Sequence, residues 1–412
     1  MQMFQPEAVE LLLPFYTIAV FLFGTVVGSF LNVVVWRLPR GESLSHPPSH
    51  CPKCGHAIRA WENIPILGWI FLRGRCSQCS QPISMRYPIV EAANGMLFLL
   101  MWYAIMHRGL PASSVFGYCV FAAALFAIAQ IDWEHYLIPD KITFPCMAIA
   151  GALALAFPET HISTAMLKGT EPQPLLLGGL LDLLDTVWPT VRDHWRVVAG
   201  LDALLGITFG YAVLWLIMES AGRLWGRSRC ILATSAKGVF TAKGLKIGNE
   251  FTEIWEDVFI RRGDRLVVHA KDIEIIRDKN QGKTVFPEAV VSFDPNGVRV
   301  QNNRWDWAEL KTVHAEVAEW VAPREVMGQG DLKLLAMVGA FLGADATIYI
   351  MLLAAFFGCF IGIGIMLTRA PENRHAPIPF GPFVALAAIL WIVYGQALFT
   401  WYGRFLTRLL VR

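Results

Sequence analysis

Charge is what this chain has least of. Only 17% of its 412 residues are Asp, Glu, Lys or Arg, against about 25% in soluble domains, while 55% are hydrophobic. That balance excludes a disordered chain, which needs high charge and little apolar sequence, and argues against an ordinary soluble enzyme. A formal net charge of +2 supplies no global field for phosphate backbones, so nucleic acid is not an expected partner. Eight cysteines are too sparse for a disulfide-built mini-protein. No Gly-x-Gly-x-x-Gly fingerprint for a nucleoside cofactor is visible.

What is abundant is uninterrupted apolar sequence. Leu11–Trp36 carries no charge until Arg37, and about 20 apolar residues suffice to cross a hydrocarbon core. Similar blocks follow at Ala92–Met106, Pro111–Ile131, Ile142–Phe157, Leu201–Met218, Ala346–Leu367 and Pro382–Leu406, with the shorter Leu332–Leu342 as an eighth. The expected fold is an all-α polytopic membrane protein of about eight transmembrane helices in a lipid bilayer. Seven Lys/Arg against two acids in Arg37–Tyr87 place that segment in the cytoplasm, together with the Ile131–Lys141 turn and Arg223–Gly330. Arg404, Arg408 and Arg412 run against this pattern.

The resulting division is a first transmembrane helix in 1–36, a cytoplasmic cysteine-bearing loop in 37–88, and helices two to four in 89–157. An outer loop fills 158–200, helix five 201–222, and an inserted cytoplasmic domain 223–327; 328–412 holds a Gly-x-Gly-Asp string and the last three helices. In the outer loop, the Leu/Asp alternation of Leu175–Val187 suggests an interfacial amphipathic helix. The insertion reads as a small β-rich soluble domain. Arg265–His269 and Ala289–Phe293 are β-branched runs, and Asp294-Pro-Asn-Gly297 is a turn before Val298–Val300. The spacing of Trp307–Val321 predicts a closing helix.

Two constellations could carry chemistry. Cys51, Cys54, Cys76 and Cys79 form two Cys-x2-Cys pairs separated by 21 residues, a spacing that lets four thiolates surround one Zn²⁺. A four-cysteine site leaves no open coordination position, so the ion is structural, and a reducing cytoplasm disfavours disulfides. The second constellation is a pair of carboxylates at membrane edges, Asp132 in IDWEHYLIPD and Asp331 in GQGDLKL. Ionisable groups at that depth are costly and tend to be functional or paired. Two adjoining carboxyls can divide the labour of water-activated hydrolysis, one protonated and one charged. Gly328 and Gly330 leave the backbone before Asp331 open to an extended substrate. The plainer reading makes these aspartates helix caps or partners of Lys141 or Lys333. Asp140, after Pro139, fits a capping role in the same way.

Seven segments in fixed order carry a resemblance: Gly28–Pro39 (GSFLNVVVWRLP), the cysteine pairs, Trp61–Trp69 (WENIPILGW), Arg86–Glu91 (RYPIVE), Ile131–Asp140, Gly328–Gly343 and Pro377–Pro382 (PIPFGP). Together they resemble the type IV prepilin peptidases, bifunctional leader peptidase/N-methyltransferases of the GxGD group of membrane aspartyl proteases. The resemblance implies a multi-pass enzyme of the bacterial inner membrane with its active site towards the cytoplasm. Its substrates would be type IV prepilin or pseudopilin precursors, whose new amino terminus is then methylated from S-adenosylmethionine. Pilus or type II secretion components are further implied partners. Asp132 and Asp331 match the catalytic pair, and the cysteine loop matches the region associated with methyl transfer. Asn32 and Glu91, polar residues bordering that loop, are candidates for the cofactor. The long 223–327 insertion and the long outer loop depart from the family's usual pattern. A transporter or proton relay and a zinc-bearing assembly scaffold are the alternatives, and both predict that a pilin precursor is left intact.

Overall fold

The computed structural model describes residues 6–158, 175–225, 227–248, 251–259, 264–277, 282–323, 328–368 and 378–410. Pro377, Arg412 and the 159–174 stretch of the outer loop lie outside the described residues. The chain divides into two compact units, Met1–Leu214 with Gln329–Arg412, and Trp215–Gly328.

The first unit is helical. Its apolar blocks become α1 (Pro6–Arg37), α3 (Arg86–His107), α4 (Ser114–His135), α5 (Asp140–Ala156), α7 (Trp195–Trp225), α9 (Gln329–Leu342), α10 (Ala344–Thr368) and α11 (Gly381–Leu410). The short α2 (Leu67–Phe71) lies in the cysteine loop, and α6 (Leu175–Asp185) forms where Leu and Asp alternate. Five helical stretches, at Pro14–Arg40, Arg86–His107, Ser114–His135, Trp195–Leu224 and Ala344–Ile365, are long and apolar enough to cross a membrane. α5 and α9, with 17 and 14 residues, are shorter than the roughly 20 residues of a perpendicular span.

α4 is central: α3, α5 and α11 all pack on it, and α9 packs on α5. Close backbone approach brings α9 onto α7. A Cβ added to Gly339 would lie 2.1 Å from the Gly206 carbonyl oxygen, and one added to Gly206 would meet the Gly339 oxygen at 2.1 Å. Small residues at such crossings let helices touch along their backbones, the main source of adhesion where lipid offers no hydrophobic drive. Gly339→Ala is therefore expected to cost about 1–3 kcal/mol by overpacking. A thermal or detergent unfolding curve unchanged from the parent would contradict this crossing.

The second unit is an eight-stranded sheet in the order β3-β2-β1-β8-β4-β5-β6-β7. The strands are β1 (Arg227–Thr241), β2 (Gly244–Ile247), β3 (Phe251–Ile254), β4 (Leu266–Arg277), β5 (Lys283–Asp294), β6 (Gly297–Val300), β7 (Asn303–Asp306) and β8 (Leu310–Pro323), with a one-turn helix α8 (Trp255–Val258) after β3. Every pairing is antiparallel. Phe240, Val268, Ile275, Val291, Phe293, Val313 and Val317 fill its core. The predicted turn joins β5 to β6, with the Asp294 carboxylate accepting the Asn296 N–H at 2.9 Å.

The predicted helix over Trp307–Val321 is wrong; apart from a single turn at Trp307–Glu309, that stretch is β8. Val313, Ala315 and Val317 are buried at period two, the strand signature. A bulge then intervenes. Glu319 pairs with both Ile231 and His269, and the next register pairs on the same strand begin at Val317, leaving Ala318 unpaired. The bulge moves burial from Val317 to Trp320, a step of three that imitates helical spacing.

Candidate active site and metal centre

Asp132 lies in the last turn of α4. Tyr136 takes a left-handed conformation (φ 52°) and donates its N–H to the Asp132 carbonyl at 2.9 Å, which ends the helix. The Asp132 side chain is buried, only 5% of the residue remaining exposed. Its Oδ2 accepts the N–H of Gly381 at 2.8 Å. Gly381 opens α11, where backbone N–H groups lack partners within the helix and attract a carboxylate. The approach is tight: a Cβ on Gly381 would lie 2.6 Å from that oxygen.

Asp331, in the first turn of α9, is half-buried and close enough for the charge of Asp132 to act on it. The two carboxyls, 199 residues apart in sequence, thus come within electrostatic reach of each other at the end of the bundle where α4 stops and α9 and α11 start. Gly330 rests on the link between α4 and α5, since a Cβ there would meet Ile138 at 2.8 Å. Asp140 starts α5 and receives Lys333 Nζ on both oxygens, at 2.7 and 2.9 Å. Lys333, expected as a partner of Asp132 or Asp331, thus pairs instead with Asp140. Gly328, just before α9, is exposed. The Gly381 N–H is the partner that sequence reasoning missed, because a backbone donor carries no side-chain signal.

The four cysteines sit in two matching knuckles. Gly55 and Ser80 donate N–H bonds to the carbonyls of Cys51 and Cys76, and Cys51 and Cys76 donate theirs to His56 and Gln81. The four sulfurs lie within 4.8 Å of one another, with Cys51–Cys79 at 3.8 Å and Cys54–Cys76 at 4.0 Å. A tetrahedron with metal–sulfur distances of about 2.3 Å has edges of about 3.8 Å, whereas a disulfide needs about 2.05 Å. Backbone N–H groups of Cys54 and Lys53 bring the Cys51 thiol down to about 6, and those of Cys79 and Gln78 lower Cys76. Against the N–H of His56, desolvation and the three neighbouring sulfurs push Cys54 up to about 12. A cation among them would favour the thiolate at all four. The donor set fits a closed metal site.

Around this centre, His56 Nε2 lies 3.3 Å from both Glu62 Oε2 and Ser77 Oγ, which ties the first knuckle to the second. The Arg59 N–H holds the Glu62 carboxyl below its usual range. Further on, Leu67 N–H bonds to the Pro65 carbonyl at 2.6 Å across Ile66, whose φ of 63° is strained for a β-branched residue. The Ile66 N–H is received at 2.7 Å by Oε2 of Glu91, a buried carboxylate. Asn32 Nδ2 donates to the Tyr87 carbonyl at 3.3 Å. Asn32 and Glu91 therefore both lie along the α1–α3 contact beside the loop. Arg86, the first residue of α3, pairs with Glu134 of α4 at 2.6 Å, so the loop's exit and the Asp132 turn share one end of the bundle.

Residues 22–105 match the bacterial peptidase A24 N-terminal domain, and residues 297–363 the type IV leader peptidase family. A prepilin leader peptidase/N-methyltransferase of Klebsiella pneumoniae is 37% identical over 190 residues, 45% of this chain and 76% of that protein. One from Aeromonas hydrophila is 27% identical over 411 residues, covering 94% of this chain and 93% of its own. One from Myxococcus xanthus is 43% identical over 145 residues, 35% of this chain and 42% of that one. No solved structure matches the chain.

Proposed function

This chain belongs to the type IV leader peptidase family, and we propose from that premise that it removes the leader of prepilin or pseudopilin precursors and then N-methylates the exposed amino terminus. It is a membrane protease with methyltransferase activity. The observation that carries the mechanism is a buried Asp132 within electrostatic reach of Asp331 at one end of the bundle. Between them the carboxyls hold one proton. The charged one takes a proton from water as the water oxygen attacks the scissile carbonyl carbon. The protonated one donates to the carbonyl oxygen, giving a gem-diol. On its collapse the C–N bond breaks as the first carboxyl passes the proton it took from water to the leaving amine. The second takes back a proton from a diol hydroxyl, which restores the shared proton. Exposed Gly328 keeps the approach to Asp331 open, Gly330 lets the start of α9 pack on Ile138, and Asp140 supports the site. The dyad faces the cytoplasm of a bacterial inner membrane, and α1, α3, α4, α5, α7, α9, α10 and α11 cross the bilayer, α5 and α9 as short spans.

Cys51, Cys54, Cys76 and Cys79 would hold a structural Zn²⁺, which supplies rigidity rather than chemistry. S-adenosylmethionine, when bound, supplies the methyl group. Its cationic centre suits Glu91, a buried carboxylate with no ion-pair partner among the described residues, and Asn32 lies on the same border. Pilus or type II secretion components are further partners of this reading, which the 223–327 domain could dock.

The purified chain, reconstituted in lipid and mixed with a prepilin, should release the leader and leave a methylated amino terminus by mass spectrometry. An intact precursor would overturn the proposal. A finer expectation concerns Gly381→Ala. The added methyl displaces Asp132 from its N–H, and such misplacement should lower kcat for leader removal by about 10–100-fold. Unchanged kcat would mean that the Gly381 contact is incidental.

A further inference from the structure

Lys333 follows Asp331 by two residues on α9, about 200° round the helix. The first turn of α9 is therefore gripped from two sides. On one side Asp331 lies within reach of the charge of Asp132. On the other, Lys333 Nζ meets both oxygens of Asp140 at 2.7 and 2.9 Å and stands 5.6 Å from the ring centre of Phe144, one turn further along α5. Gly330 and Ile138 touch between these two contacts. The chain runs from Asp132 through the left-handed Tyr136 and buried Ile138 to Asp140, crosses to Lys333, and returns along α9 to Asp331. In the proposed dyad the ring closes through the two carboxyls. Among the described residues, the Lys333–Asp140 pair is the ion pair that crosses this ring.

We propose that Lys333 and Asp140 form a positioning lock that sets the separation of the two aspartates, so that the pair acts on kcat rather than on fold stability. The inference rests on the proposed peptidase reading. A pair this accessible, with Lys333 26% and Asp140 52% exposed in their side chains, contributes little to stability. A small displacement of reacting groups is costly to rate. Neither residue touches the reacting atoms in this account; both act through the segments they join.

The test uses the full chain in lipid with a prepilin, alongside Asp132→Asn as the inactive reference. Lys333→Met and Asp140→Asn should each lower kcat about tenfold, with KM and the unfolding midpoint near parental values. Lys333→Arg should stay within about threefold of the parent, because it keeps the charge. The exchange Asp140→Lys with Lys333→Asp should recover most of the loss. Parental kcat in both single variants, with Asp132→Asn inactive, overturns the lock and spares the dyad. A loss that follows a lowered unfolding midpoint and is not recovered by the exchange also overturns it, as a merely structural contact would behave this way. Activity retained in Asp132→Asn instead overturns the dyad reading.

Discussion

Replacing Asp132 or Asp331 by Asn is expected to lower leader removal by about 10²–10⁴-fold, the range that acid–base groups contribute. The two losses should be nearly equal. The carboxyls share one proton and one water, so the double variant should be hardly worse than either single. The rate of the parent enzyme should be bell-shaped in pH, falling where both groups are protonated and again where both are charged, with apparent constants that belong to the pair. Steady-state assays on a prepilin in lipid, with the folded fraction checked by unfolding midpoint, measure all of this. Single variants whose losses multiply in the double would show two groups acting independently.

The second large effect concerns the metal. Between Gly41 and Met85 only Glu62, Gly68, Gly74 and Cys76 are buried, and none of these is a large apolar residue. Such a segment cannot hold its shape by hydrophobic burial, whereas structural zinc supplies on the order of 10 kcal/mol in comparable small folds. Cys54→Ser or removal of the ion should therefore release one zinc per chain and open both knuckles. The strained turn at Ile66 loses its support, and with it the alignment of Glu91. N-methylation should fall by about 10–100-fold, while leader removal changes by less than about threefold, because Asp132 and Asp331 are held by α4, α9 and α11. Metal content, limited proteolysis of the 37–88 loop and the two product assays separate these outcomes. Leader removal stopped with the loop intact would contradict the division of labour.

Much of this site was legible in the sequence because its key members carry side-chain signatures. Four cysteines at metal spacing and two aspartates at the edges of apolar blocks are rare enough to notice, whereas Lys333 suited several nearby carboxylates and its pairing with Asp140 was not singled out. What stayed hidden is backbone chemistry. Asp132 is steadied by the N–H of Gly381, and Glu91 by that of Ile66, and no residue type announces a donor of that kind. Apolar length located eight helices. It does not tell a span of full length from a shorter one, and α5 and α9, with 17 and 14 residues, are of the shorter kind. In the β domain, hairpins with a clear turn were readable, whereas the bulge at Ala318 turned a strand into an apparent helix. The acid Asp345 gave no signal either. It accepts the N–H groups of Leu176 and Leu177 from 169 and 168 residues away, a cap made by tertiary contact.

The central claim is that the side chains of residues 132 and 331 meet across α4 and α9. Oxidative cross-linking of Asp132→Cys with Asp331→Cys in native membranes, read by mass spectrometry of the linked peptides, tests it directly. The account predicts rapid and near-complete linkage for this pair and little for Glu134→Cys with Asp331→Cys. Linkage no greater than in that control would contradict it.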